Sequence, residues 1–564
     1  MPRPSNVADL VADASAESPD KLALVEVGGR SLTWSQLDDE VRRTAAGLGR
    51  LGVRAGMRIM IVLGNRLEFV TSYLGALSAQ VVAVPVNPGS TAYELARMLA
   101  DSGARLVVAD DDTAPAVREA LAVLDGARAG QPVADGELEP ELLARAQDPR
   151  LVVIGEPAGA QETTYDDLVA EPGGPLPALQ DPESLAVLLY TSGASGRPRG
   201  AMLSHRALVA NIEQVAAVSP PMIHGDDVVL GVLPLFHVYG LNAVLGGVLR
   251  HRAKLVLVDR FDPEGTLDLI DDEAVSVVPV APPVLGYWMP VEGLRDRLGP
   301  VRLVLSGSAP LGAEVMDRFS EAGGVEVHQG YGLTEAAPVV TSTLCSARTS
   351  GDASGTAVAG PGAPAAGSRS SGSVGAALPG IELRLVDEHT GHLEGDDPGE
   401  IQVRGDNLFS GYWPDGSGGP DADGWYSTGD VGYLDADGDL YLVDRVRELV
   451  IVSGFNVYPS EVEDAVRDVE GVREVAVIGT PDQETGESVV AYVVATDGTD
   501  AAQVAEAVRE RASRRLARFK QPARIEVVPE LPRTATGKIQ KGRLRGIERR
   551  RRLALLEQPA AMET

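Results

Sequence analysis

The stretch Leu188-Leu189-Tyr190-Thr191-Ser192-Gly193-Ala194-Ser195-Gly196-Arg197-Pro198-Arg199-Gly200 sets three glycines, three hydroxyls and two arginines directly after an apolar run. Hydroxyls and the backbone N–H groups that glycine exposes surround phosphoryl oxygens at close range, and arginine neutralises their charge. The stretch reads as a phosphate cradle at the end of a buried strand, with a surface turn as the bland alternative. Two common nucleotide motifs do not account for it. A Walker loop needs Gly-Lys followed by Ser or Thr, whereas the only Gly-Lys pair is Gly537-Lys538, followed by Ile539. Gly330-Tyr331-Gly332-Leu333-Thr334-Glu335 lacks the third glycine of a dinucleotide fingerprint.

A formal net charge of −31 argues against a nucleic-acid or anionic-membrane partner, so a polyanionic substrate must meet cations placed locally. The single cysteine, Cys345, excludes an intramolecular disulfide and fits a reducing compartment. The first 21 residues carry four acidic groups and no apolar core of signal-peptide length. No stretch approaches the ~18 uninterrupted apolar residues of a spanning helix, so a cytoplasmic protein with no membrane span is expected. Of 50 basic residues only Lys21, Lys254, Lys520, Lys538 and Lys541 are lysine, which suggests a need for a flexible point charge where lysine persists.

These groups need a scaffold, and 564 residues exceed one core. Strands at 22–27, 58–63, 81–86 and 106–109 alternate with helices at 35–51, from 67 and from 93, implying α/β layers with much parallel sheet. Residues 110–180 show weak periodicity and read as a variable part of this subdomain. Ser204 is suited to N-cap a helix with Leu208, Val209, Ile212 and Val215 on one face, leaving His205 as a surface residue of its first turn. Further α/β units run through 229–234, 254–258, 276–280 and 301–306. The Ser, Gly, Ala, Pro and Thr of 346–373 read as a flexible insertion, and short strands between about 374 and 444 as a β-rich subdomain. After Asp444 the pattern is that of a small α+β domain, with a basic C-terminal tail from 542 to 564. The expected fold is thus α/β: a large N-terminal domain over 1–444 including the small β unit, then a small mobile α+β domain over 445–541 that carries Lys538.

Five other stretches stand in order behind the cradle. They are Leu235-Phe236-His237-Val238-Tyr239-Gly240; Gly330 to Glu335; Ser427-Thr428-Gly429-Asp430; Asp444-Arg445 leading to Gly454-Phe455-Asn456-Val457-Tyr458-Pro459; and Pro532-Arg533-Thr534-Ala535-Thr536-Gly537-Lys538. With the cradle they resemble the adenylate-forming superfamily of acyl-CoA synthetases, peptide-synthetase adenylation domains and luciferases, over nearly the whole chain to Lys541. The pattern is most similar to fatty- or aryl-acid CoA ligases. That resemblance implies ATP-driven activation of a carboxylic acid to an acyl-adenylate and pyrophosphate, followed by transfer of the acyl group to a thiol. Both partners of the first step are anionic, so cations and hydrogen-bond donors must offset their repulsion.

By resemblance, Thr191, Ser192, Gly193, Ala194, Ser195 and Gly196 hold the β- and γ-phosphates. Glu335 holds magnesium as a hard oxygen ligand, and Thr334 contacts the α-phosphate. Asp430 accepts hydrogen bonds from the ribose diol and Arg445 reinforces ribose or phosphate binding. Ser308, Ala309, Pro310, Gln329, Gly330 and Tyr331 match the adenine pocket. Lys538 matches the mobile lysine that bridges carboxylate and α-phosphate. His237, with Tyr239, Gly240 and Gly332, lines the acyl pocket and the path of the thiol, or is simply a packed histidine; Ser453 and Gly454 face the thiol. Phe236, His237 and Val238 offer no anion for an α-ammonium group, so a fatty or aryl acid is preferred. Gly240, Gly246 and Gly247 fit room for an acyl chain or close helix packing.

Two positions depart from the family pattern. Arg199 stands where a lysine is usual, keeping charge but presenting a planar fork, and Arg447 occupies the hinge position two residues after Arg445. The acceptor implied is coenzyme A, with a carrier-protein phosphopantetheine as the alternative, and a non-catalytic acyl or nucleotide sensor as the rival from another class.

Overall fold

The computed structural model describes residues 4–131, 138–159, 161–174, 178–179, 181–192, 198–309, 311–346, 372–386, 398–445, 450–452, 455–482, 485–516, 518–534 and 537–556, some by their backbone alone, Ser192, Asp444 and Arg445 among them. The 346–373 insertion lies almost wholly outside these residues. The chain divides into two units: Met1–Thr191, Arg199–Glu382 and Val403–Tyr426 form the first, and Ser192–Pro198, Leu383–Gln402 and Ser427–Thr564 the second.

Runs of Val, Ile and Leu too apolar to face water on either side build two sheets in the first unit. A seven-stranded sheet runs Thr163–Thr164, Arg150–Ile154, Leu106–Asp110, Arg58–Val62, Val82–Pro85, Leu185–Ser192 and Pro198–Ser204. A nine-stranded sheet runs Ala376–Ala377, Val339–Ser342, Val327–Gly332, Leu303–Ser306, Val277–Val280, Val228–Gly231, Lys254–Leu257, Leu22–Glu26 and Ser31–Thr33. Its six strands from Val327–Gly332 to Leu22–Glu26 are parallel. Three of them therefore deliver their carboxyl ends, and the loops after them, to one side of the sheet, where α/β folds bind ligands.

Local chemistry starts the helices between strands. Thr33 and Thr91 close reciprocal capping boxes with Gln36 and Glu94, and the cap expected at Ser204 is present, its hydroxyl accepting from the Ala207 N–H at 3.2 Å. His205 is not on the surface: it is 1% exposed, its Nδ1 has no hydrogen-bond partner among the described residues, and burial pushes its pKa down to about 4. The weakly periodic 110–180 region holds a long helix, Ala114–Arg128, and a further parallel strand, Arg150–Ile154, so it is part of the scaffold.

The second unit has a four-stranded sheet, Glu382–Val386, Gly399–Arg404, Tyr426–Leu434 and Leu440–Arg445, and a five-stranded sheet centred on Val472–Asp482 and Gly486–Ala495. The helices Pro459–Arg467 and Ala501–Arg515 cover the latter around Val462, Val466, Val477, Val493 and Val508. The β strands from Ser427 group with this unit rather than with the large one, and the Ser460 hydroxyl donating to the Val443 carbonyl at 2.6 Å ties them to it. Residues from 541 form a helix, Lys541–Leu556, instead of a tail. Leu544 is 2% exposed, Lys541 pairs with Glu463 at 2.9 Å, and Glu548 meets Tyr492 and Arg524. No helix among the described residues is long and apolar enough to cross a membrane.

Candidate functional site

Three strands of the parallel sheet end in segments that carry candidate site residues. The Leu303–Ser306 strand runs into Gly307-Ser308-Ala309, where Ser308 takes a left-handed φ of 72°, a conformation rare outside glycine. A Cβ on Gly307 would lie 2.9 Å from the Tyr239 ring, so Tyr239 packs flush against this turn. The Val228–Gly231 strand runs into the 232–238 loop, which is stitched down by buried Asn65: its amide donates to the Gly231 and Leu233 carbonyls and accepts from the Leu235 N–H, each at 2.9 Å.

His237 follows. Its N–H donates to the Pro234 carbonyl at 3.1 Å, its Nδ1 accepts from the Tyr239 N–H at 3.4 Å, and burial holds the imidazole below its usual pKa, neutral at pH 7. Tyr239–Leu245 then winds as a π-helix, a form found often at functional sites. The glycines here serve packing. A Cβ on Gly240 would stand 2.4 Å from the Pro234 carbonyl oxygen, and on Gly246 or Gly247 within 2.9 Å of Ile212 or Ile223.

The Val327–Gly332 strand carries Gln329, Gly330 and Tyr331, and ends in the tight helical turn Thr334–Ala336. Gln329 spends its amide on the Ser373 carbonyl at 2.7 Å, and a Cβ on Gly330 would strike the Thr341 carbonyl oxygen at 2.4 Å. The three backbone carbonyls of residues 335–337, which a helix end leaves open, are each closed from outside. That of Glu335 accepts from the Phe409 N–H at 2.9 Å, that of Ala336 from Asn407 Nδ2 at 2.7 Å, and that of Ala337 from Asn242 Nδ2 at 2.7 Å. The Glu335 side chain, 9% exposed, accepts at Oε1 from the Tyr412 hydroxyl at 2.5 Å; its Oε2 takes no hydrogen bond from any described residue.

Sequence reasoning missed the segment that makes this possible. Residues 410–413 bond along the edge of the Pro198–Ser204 strand: Ser410 N–H to Met202 O at 2.9 Å, Met202 N–H to Gly411 O at 3.0 Å, Trp413 N–H to Gly200 O at 2.8 Å. Tyr412 thereby lies beneath Arg199, whose guanidinium carbon is 3.7 Å from the ring centroid. Burial and the Glu335 carboxylate push the Tyr412 phenol up to about 12, so it stays a donor. The available signal was compositional. In a chain with 4% aromatic residues, Phe409, Tyr412 and Trp413 fall within five positions.

Of the cradle, Thr191 is described, its hydroxyl 3.5 Å from the Arg199 carbonyl, and Ser192 by its backbone; Gly193, Ala194, Ser195 and Gly196 lie outside the described residues, as do Pro310, the hinge Arg447, Ser453 and Gly454. In the second unit, Asp430 is 9% exposed, its N–H donates to Thr428 Oγ1 at 3.1 Å, and its Cα faces that of Arg445 across the antiparallel ladder. Lys538 sits half-buried at the end of a tight loop closed by the Arg533–Ile539 bridge: its N–H donates to Thr534 Oγ1 at 3.1 Å and its carbonyl accepts from the Thr534 N–H at 2.8 Å. Gly537 before it takes a φ of 81°, which favours glycine.

Among the described residues no three His, Cys, Asp or Glu side chains gather as a metal cage. A single carboxylate with one tethered and one open oxygen suits magnesium, which keeps several waters and uses one or two carboxylates plus phosphates.

Comparison with known proteins gives this geometry its relatives. Residues 11–413 match the family described as AMP-binding enzyme, and residues 461–538 match the AMP-binding enzyme C-terminal domain. The chain is 32% identical to a long-chain-fatty-acid–CoA ligase of Bacillus subtilis (strain 168), over 96% of this chain and 95% of that protein. It is also 32% identical to 4-coumarate–CoA ligase 5 of Oryza sativa subsp. japonica, over 95% of this chain and 93% of that one. Among solved structures, ATP-bound MatB from Rhodopseudomonas palustris superposes with a TM-score of 0.80 at 30% identity, covering 96% of this chain and 99% of that one. The anthranilate CoA ligase AuaEII in complex with anthranoyl-AMP gives 0.79 at 25% identity, covering 98% and 99%.

Proposed function

The chain belongs to the AMP-binding enzyme family, and from that premise we propose that its two units carry out acid–CoA ligation. It is an AMP-forming ligase that activates a fatty or aryl acid with ATP and passes the acyl group to coenzyme A. The observation that carries the site assignment is the Glu335 carboxylate, fixed at one oxygen by Tyr412 on a turn whose carbonyls are all closed.

In the first half-reaction the acid's carboxylate oxygen attacks the α-phosphorus of ATP, and pyrophosphate leaves. Glu335 would hold magnesium, which when bound neutralises charge developing on the phosphates. Thr191 and its neighbours from Ser192 to Gly196 hold the departing pyrophosphate, while Thr334 donates to the α-phosphate. The turn after Ser306 and the edge of Tyr331 receive adenine, and Asp430 with Arg445 the ribose. The Lys538 ammonium bridges acid and α-phosphate, offsetting the repulsion between two anions. In the second half-reaction the thiolate sulfur attacks the acyl carbon and AMP leaves, with neutral His237 beside the acyl group and Ser453-Gly454 facing the pantetheine arm. Movement about Arg447 presents Lys538 first and the Gly454 face second.

A panel of fatty and aryl acids in ATP–pyrophosphate exchange, followed by coenzyme A or a phosphopantetheinyl carrier protein as acceptor, tests this. Acid-dependent exchange and acyl-CoA formation are expected. An acylated carrier protein without acyl-CoA would move the acceptor assignment, and no exchange with any acid would leave a non-catalytic binder.

A further inference from the structure

Tyr412 is held on every side that matters to its hydroxyl. Its N–H donates to the Ser417 carbonyl at 2.9 Å, and the Phe409 ring meets it edge-on with centroids 5.1 Å apart. Arg199 lies over its face at 3.7 Å. The Asp415 carboxyl, held below its usual pKa chiefly by hydrogen bonds from Ser417, also feels the charge of the Arg199 guanidinium. The hydroxyl of this ring donates to Glu335 Oε1 at 2.5 Å, with Tyr426 as its other hydrogen-bonding neighbour.

We propose that Tyr412 is a positioning residue for the Glu335 carboxylate, and that Arg199, stacked on its ring, couples the end of the phosphate cradle to that carboxylate. The chain's departure from the usual lysine at 199 then has a consequence. A guanidinium lies flat on an aromatic face where an ammonium presents only a point charge. With the Arg199 guanidinium on its face the ring is clamped, the hydroxyl fixes one carboxylate oxygen, and the other oxygen is left for a hard cation. This assignment rests on Glu335 as the magnesium ligand of the proposed ligase.

The experiment uses the full chain, Mn2+ as the spectroscopic probe and α,β-methylene-ATP at saturation, with bound Mn2+ read by electron paramagnetic resonance. Tyr412→Phe keeps the ring and removes only the hydroxyl. Its Mn2+ affinity in the nucleotide complex is expected to fall about 10-fold, as losses of groups that orient metal ligands do. Arg199→Ala is expected to weaken Mn2+ binding about 3-fold, the scale of one exposed cation–π contact. If the two act through one ring, the double variant binds like Tyr412→Phe alone. Mn2+ affinity within about twofold of wild type in Tyr412→Phe overturns the proposal, and so do effects of the two substitutions that multiply. These Mn2+ differences among the variants, together with a wild-type chain that shows no acid-dependent exchange, would support the coupling and overturn the ligase reading instead.

Discussion

Lysine scarcity alone does not single out Lys538, because the other four lysines have structural employment. Lys21 donates to the Gly225 and Arg252 carbonyls, Lys254 pairs with Glu273 at 3.0 Å, Lys520 with Glu461 at 2.7 Å and Lys541 with Glu463 at 2.9 Å. What distinguishes Lys538 is its place after a left-handed glycine in a closed loop, legible in Thr536-Gly537-Lys538 itself. Lys538→Ala is expected to lower acyl-adenylate formation by about 100-fold or more, the scale of losing one preorganised donor, while thiol transfer from supplied acyl-adenylate stays within a few-fold. A matching loss in both half-reactions, measured by rapid quench, would remove the lysine from the first step specifically. His205 makes a different residue-scale prediction. Its pKa falls from 6.5 to about 4 on folding, so its contribution to stability is fully present above pH 6.5 and drains as pH falls toward 4. Between pH 7 and pH 5 this amounts to about 2 kcal/mol. Urea titrations should show His205→Leu losing correspondingly less stability over that interval; parallel losses in variant and wild type would mean another group governs the acid limb.

Among the elements, the Trp34–Arg50 helix and the Ser204 cap fall where apolar spacing and capping chemistry put them, and the Leu67–Ser78 helix and the Leu106–Asp110 strand where apolar runs put them. The Ala114–Arg128 helix was not legible, because half of its buried stripe of Ala114, Val117, Ala120 and Leu124 is alanine, a weak apolar signal. His205 failed for a related reason. Capping fixes where a helix begins, while tertiary packing decides which face of its first turn is covered. The 407–413 segment escaped because its work is long-range: Asn407 reaches Ala336, 71 residues away, and Tyr412 reaches Glu335, 77 away. No local spacing rule contains such a pair. That linkage makes the Thr334–Ala336 turn sensitive to its own backbone. A Cβ at Gly332 would stand 2.2 Å from the Pro338 carbonyl oxygen, so Gly332→Ala must push the turn outward and carry Thr334 and Glu335 with it. The expected cost is about 1–3 kcal/mol of stability, from overpacking. Pyrophosphate exchange should fall while a Gly240→Ala variant, crowded against Pro234 instead, loses stability without narrowing its range of acids. Full exchange activity in Gly332→Ala would show that the turn does not need this backbone position.

At the scale of the molecule, the residues given roles in the proposed reaction belong to two units, Glu335 and Thr334 to the first, Asp430 and Lys538 to the second. The chain as a whole is strongly anionic, with 81 acidic residues against 50 basic, yet the proposed nucleotide substrate is a polyanion. Long-range repulsion from the net charge and the short-range attraction proposed for Arg199, Arg445 and Lys538 therefore oppose one another. They differ in how salt affects them. Repulsion summed over the surface acts beyond a Debye length of about 8 Å at physiological ionic strength and is screened first, whereas partly buried contacts are screened much less. Raising salt from about 0.02 M to about 0.15 M should therefore increase kcat/KM for ATP, by about threefold, the reverse of the decline seen where a cationic cleft steers an anion inward. Stopped-flow binding of a fluorescent ATP analogue across that range assigns the change to the association rate. An association rate that falls steadily with salt would mean that the local cations, despite a net charge of −31, govern the field ATP meets on approach.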